Sequence, residues 1–179
     1  YKRLIRHFTE LADSPMGLRN LIIIMLLGTL GLRTSTLTAL NIEDIELMCG
    51  TLWVREKGRQ HRNMVLPHSL CKMTHKYLQP QRRKKGPLFL SIRKKRISPR
   101  TLQDIFRSAA DQVGIDKKLH ARLFRHTAAT HLTKIAGTDI TQAVLGHRRR
   151  GNTLKYAHLN PDKYAVYMKK HPFMTQEAP

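Results

Sequence analysis

Residues 21–32 form the longest apolar run in the chain, and few structures accommodate them. Gly28, Thr29 and Gly31 interrupt the run, and it falls short of the ~20 residues that span a bilayer, which argues against a membrane segment. Ser14 and Pro15 stand ahead of it as a helix N-cap followed by proline in the first turn. Leu18, Leu21, Ile22, Met25 and Leu26 recur at helical spacing, and the glycines near 28–31 end the pattern. The run predicts one buried central helix on which the rest of the chain must pack.

The charge narrows the partner. The chain has 179 residues, with 33 Lys and Arg against 12 Asp and Glu, and a formal net charge of +21. A hydrophobic content of 41% supports a core and excludes a wholly disordered basic tail. Such a surplus opposes compaction, so a polyanion is the expected partner. Nucleic acid is the commonest, and an anionic membrane surface is the rival. The cations cluster at Arg82, Arg83, Lys84, Lys85, at Arg93, Lys94, Lys95, Arg96, and at Arg148, Arg149, Arg150. Cys49 and Cys71 make neither a disulfide framework nor a zinc pattern, which points to a reduced, cytoplasmic compartment, nucleoid-associated if bacterial. No signal-peptide pattern opens the sequence. It begins at Tyr1 rather than Met, as a fragment of a longer protein would.

Further along, Leu37 and Leu40 mark a short helix after Arg33. Residues 51–54 and 63–66 are strand candidates around the polar, Gly58-containing stretch 55–62, a β-hairpin with a basic tip. Pro67 ends it, and residues 69–78 read as a helix. Residues 81–100 are a basic loop region. Ser98 and Pro99 cap a helix that runs to about Val113 and stops at Gly114. Residues 121–136 and 139–145 are helical, closed by Gly137 and Gly146, and residues 161–170 read as a last helix. The fold class is α+β, mainly α-helical, with a small antiparallel β-sheet near the N-terminal third.

The sequence has neither a Gly-rich phosphate cradle nor a pattern of metal-binding carboxylates, so chemistry on a phosphodiester would fall to Arg, Lys, His and Tyr. The C-terminal third supplies them: Arg125-His126-Thr127, then Leu145-Gly146-His147, then Tyr156 nine residues later. Upstream lie Gly31-Leu32-Arg33-Thr34-Ser35 and the hairpin Lys57-Gly58. In this order the motifs resemble the catalytic domain of the tyrosine recombinase (phage integrase) family, from about residue 14 to about residue 160.

The resemblance implies that fold, and a site-specific recombinase that cuts and rejoins duplex DNA, as in integration, excision or transposition of a mobile element. Arg33 and Arg125 match the family's two arginines, and guanidiniums grip nonbridging phosphate oxygens bidentately. Tyr156 matches the nucleophile that forms a 3′-phosphotyrosine link. Its phenol starts about three pKa units, roughly 4 kcal/mol, from phenolate at pH 7, a cost that a cationic site lowers. Lys57 matches the general acid for the leaving 5′-hydroxyl, and His147 the residue that hydrogen-bonds the scissile phosphate. The phosphotyrosine bond stores the energy of the broken one, so the resemblance implies no cofactor, neither ATP nor metal.

Two positions depart from the family. Its His-x-x-Arg reads Arg122-Leu123-Phe124-Arg125 here, and an arginine contacts phosphate without accepting a phenol's proton. Either the cationic field suffices, or water takes the proton, or catalysis is weakened; a DNA-binding module that has lost catalysis is the alternative reading. His120 and His126 are expected to face elsewhere on the helix. Thr36 stands where the family often has an acid that supports the first arginine.

Arg100, Gln103 and Arg107 recur on a helix that resembles the family's major-groove element, so they either reach DNA together or line a solvated face. Arg59, Lys95 and the remaining cations read as phosphate contacts. Residues 161–179 resemble the segment that family members donate to a neighbouring subunit, which implies a homo-oligomer on DNA, with accessory DNA-bending proteins as further partners. The side bearing Tyr164 and Tyr167 fits packing within the chain equally well. Family members usually carry a separate N-terminal domain that closes a clamp on DNA, and residues 1–13 read as a linker or the end of such a domain.

Overall fold

In a computed structural model the protein is described at residues 2–56, 60–146, 166–167 and 170–171. The apolar run becomes the central helix α2 (Pro15–Leu30), with Ser14 accepting a hydrogen bond from the Gly17 amide and Gly31 closing it in the left-handed conformation. It is apolar on every side, and it is buried on every side. Helices α1 (Lys2–Glu10), α4 (His68–Leu78) and α6 (Ala121–Leu145) all pack on it. Helix α1 forms where the sequence left a linker open. Its Leu4, Ile5 and Phe8 lie on one face and are buried in the core.

After α3 (Thr34–Ala39) the chain enters a three-stranded antiparallel sheet in the order β1 (Ile45–Glu46), β2 (Thr51–Glu56), β3 (Gln60–Val65). The predicted hairpin is β2–β3, with Leu52 opposite Met64 and Val54 opposite Arg62. Leu52, Val54 and Met64 are buried, so this alternation gives the sheet its core face. Strand β1 was not legible: two residues carry no period.

The basic region after α4 differs from its sequence reading. It is a loop folded onto the core through buried Leu88, Phe89 and Ile97, with bridges Asn41↔Pro87 and Leu90↔Arg96. Two of its cations act as staples, Arg83 on a carbonyl of the loop itself and Arg96 on carbonyls at the end of α3. Arg83 donates to Pro87 O at 2.6 Å, and Arg96 to Thr38 O, Leu40 O and Asn41 Oδ1 at 3.1, 3.0 and 2.6 Å. From α2, the buried Arg19 donates to Leu90 O at 2.5 Å.

Helix α5 (Pro99–Gln112) is capped by Ser98 as expected and buries Leu102, Phe106, Ala109 and Ala110. Helix α6 breaks its geometry at Gly137 (φ 79°), where the sequence placed a stop, and then resumes to Gly146. Thr141 Oγ1 donates to Gly137 O across the break at 2.8 Å. Among the described residues no helix is long and apolar enough to cross a membrane.

Candidate active site

The site forms where α2 ends against α6. Gly31 turns the chain with φ 59°, and Arg33 follows two residues later as the N-cap of α3. Helix α6 starts at His120, whose Nδ1 accepts the Leu123 amide at 3.1 Å. That bond commits His120 to capping and takes it out of the site. Arg122 and Arg125 then project from the first turns of α6.

A cleft of about 390 Å³ opens there, lined by Leu32, Arg33, Thr34, Arg122, Arg125 and His126, with Leu145 at its inner wall. None of the described lining residues carries a carboxylate, so the guanidiniums set its charge. Arg125 is held on both arms: Nη1 donates to Gly31 O at 2.5 Å and Nη2 to Leu145 O at 2.6 Å. Arg33 donates to Gly146 O at 3.5 Å. These acceptors lie at helix ends, where carbonyls lack partners within the helix. The two arginines thus share one scaffold, the α2 turn and the end of α6, although they are 92 residues apart in sequence. Carbonyl anchoring fixes both guanidiniums in place without itself consuming their charge, which suits a phosphate group.

One expectation is corrected here. His126 does not face elsewhere: it lines the same cleft as Arg125. The cleft runs across the first turns of α6 and takes in the side chains on both sides of Arg125. Arg122 enters the cleft too, so a guanidinium stands where an imidazole was expected.

The phage integrase family's sequence profile matches residues 1–163. The chain belongs to this family. The chain is 31% identical over 173 residues to the tyrosine recombinase XerC of Halalkalibacterium halodurans, an alignment covering 89% of this chain and 57% of that protein. It therefore spans little more than half the length of that curated relative. Among solved structures, the XerA recombinase matches it with a TM-score of 0.71 and 25% identity, over 96% of this chain and 64% of that one. The site-specific recombinase XerH, in a post-cleavage complex with a palindromic difH substrate, matches with a TM-score of 0.68 and 21% identity, over 93% and 51% of the two chains. This last likeness concerns the fold alone.

The other expected site residues fall in three places. Lys57, Arg59, His147 and Tyr156 lie outside the described residues. Arg100, Gln103 and Arg107 share the exposed face of α5, where Asp104 pairs with Arg100 (3.6 Å) and Arg107. Lys95 is exposed in a tight turn, its carbonyl accepting from the Ser91 amide at 2.7 Å. Sequence reasoning missed His126 and the anchoring carbonyls. The motif Arg125-His126 named the residue, but adjacency on a helix hides which of two neighbours a cleft includes.

Proposed function

We propose that this chain is the catalytic portion of a site-specific DNA recombinase that breaks and rejoins duplex DNA through a covalent 3′-phosphotyrosine. The observation that carries this reading is the cleft with Arg33, Arg122 and Arg125 on its walls, no described carboxylate among them, and two of the three guanidiniums fixed by backbone carbonyls. In the proposed step the Tyr156 oxygen attacks the phosphorus and the bond from phosphorus to the 5′-oxygen breaks. Its electron pair stays on that oxygen, which takes a proton from Lys57. The phenol's own proton passes to water, and His126 gives the cleft an imidazole within its walls. His147 and the arginines hold the nonbridging oxygens. Ligation is the reverse, with the 5′-hydroxyl of another strand as nucleophile, so bond energy is conserved.

Arg100, Gln103 and Arg107 on α5, with Arg59 and Lys95, are the proposed duplex contacts. The protein acts as an oligomer on DNA. Within the chain Tyr167 packs against the core, and the buried His171 sets its ring 5.6 Å from His131 of α6. The same seat on a neighbouring copy would link protomers.

The test is a library of nicked duplexes with a randomised core, incubated with the chain and run on denaturing gels. The wild-type chain should leave a covalent adduct, whose DNA identifies the preferred site, and Tyr156→Phe should remove it while binding persists. An adduct that survives Tyr156→Phe refutes the assigned nucleophile. Binding without any adduct from the wild type favours the DNA-binding module.

A further inference from the structure

The carbonyls at the end of α6 are gripped by three arginines, and one of these takes no part in the cleft. Arg125 reaches Leu145 O and Arg33 reaches Gly146 O. Arg62 of β3 donates from Nη1 to Ala143 O at 3.1 Å and to Val144 O. They lie at a helix C-terminus, where Ala143 O also accepts the Gly146 amide at 3.3 Å and where partial negative charge favours a cation. Arg62 is not among the residues that line the cleft. It stands opposite the buried Val54 and two residues from the buried Met64, on the core face of the sheet.

Its position in the chain gives the contact a consequence. In sequence, Lys57 follows the last residue of β2 and precedes β3 by three positions, and His147 follows the last residue of α6 by two. One side chain therefore joins the element that carries the proposed proton donor to the element that leads into the proposed phosphate ligand. We infer that Arg62 is a positioning residue that fixes the β2–β3 strands against the end of α6, and that proton delivery by Lys57 to the leaving 5′-oxygen depends on this link. This inference rests on the recombinase reading. Without Arg62 the end of α6 keeps Arg33 and Arg125, so the arginine cleft stays in place. The hairpin loses this link to it. The defect then falls on protonation of the leaving oxygen and spares the attack on phosphorus.

That asymmetry makes the inference testable on the nicked duplex selected above, prepared with either oxygen or sulfur at the bridging 5′ position. A thiolate leaves with a pKa near 8.5 and has little need of an acid, whereas an alkoxide needs one. Under single-turnover conditions Arg62→Gln should form the adduct about tenfold or more slowly than wild type on oxygen, and within about threefold of wild type on sulfur. Its Kd for the duplex should shift by less than about threefold. Arg62→Lys, with the charge but without the two-armed fork, should fall between. An unchanged rate on oxygen overturns the inference, and so does an equal loss on sulfur. A Gln variant that no longer binds DNA has failed to fold, and the Lys variant then carries the same comparison of sulfur with oxygen. No adduct from the wild type on either duplex sinks the recombinase reading and the role of Arg62 with it. A normal wild-type adduct with an unaffected Arg62→Gln sinks only the latter.

Discussion

Gly31 meets two requirements at one position. Its φ of 59° is a conformation that side chains rarely adopt, and a β-carbon there would collide with Leu145 Cδ2 of α6. Its carbonyl is one of the two that hold Arg125. Gly31→Ala is therefore expected to cost about 1–3 kcal/mol, seen as a thermal midpoint lower by roughly 5 °C, and to slow adduct formation by moving Leu145 and its carbonyl. Calorimetry and the covalent-adduct assay measure the two effects separately. Arg125→Lys keeps the charge but cannot span Gly31 O, Leu145 O and a phosphate at once. It should reduce the rate of adduct formation about 10²–10³-fold with little change in DNA affinity, read by single-turnover kinetics and a binding titration. Arg33 and Arg125 were legible because a motif order names them. Why a glycine stands two residues before Arg33 was not, since the collision involves a residue more than a hundred positions away.

At the scale of elements, the chain's own punctuation was readable where capping chemistry is local. Ser14 and Ser98 start helices, Gly31 and Gly146 end them, and Gly137 breaks one. What could not be read depends on long-range partners. The cations of the loop after α4 look alike in sequence, yet Arg83 and Arg96 bind backbone carbonyls, and nothing in the sequence sets them apart from Lys95 in advance. Arg62 did leave a signal, for it shares the inward face of β3 with Met64, where an unpaired charge would be costly. The seat of His171 on α6 also has a measurable consequence. Burial, and secondly the charge of His131, push its imidazole down to about 4, and burial followed by Lys134 lowers His131 as well. Between that value and the ordinary 6.5, the unfolded chain takes up a proton that the folded chain refuses. Stability is thus fully present above about pH 6.5 and is lost as pH falls toward 4, by about 3 kcal/mol from His171 alone. Denaturant melts across this window should show that slope, and His171→Phe should remove most of it. An equal slope in the variant would assign the effect to other groups.

For the whole molecule, a net charge of +21 is tolerable only if the cations are sorted. Some, such as Arg19, Arg83 and Arg96, serve the backbone, and Arg19 is buried. Others converge on the cleft, and the α5 face presents Arg100 and Arg107 to solvent. Each phosphate that these exposed cations neutralise should add about −0.9 to the slope of log affinity against log salt. Replacing Arg100 and Arg107 together by Ala should make that slope shallower by about 2. Asp104 sharpens the test. Its Oδ1 lies 3.6 Å from Arg100 Nε and 2.5 Å from Arg107 Nη2, so in the free chain one carboxylate offsets two proposed phosphate ligands. With DNA bound, the same carboxylate would sit beside phosphate oxygens and repel them. Asp104→Asn keeps the shape and removes the charge. Affinity for duplex DNA at low salt should therefore rise by roughly three- to tenfold, with the gain shrinking as salt screens it. The gain should also vanish when Arg100 and Arg107 are already Ala, because no cation is then left for the carboxylate to offset. Fluorescence anisotropy across a salt series reads all of these. An Asp104→Asn chain that binds no tighter than wild type at any salt would take α5 out of the DNA interface and leave duplex recognition to the hairpin tip and the turn bearing Lys95.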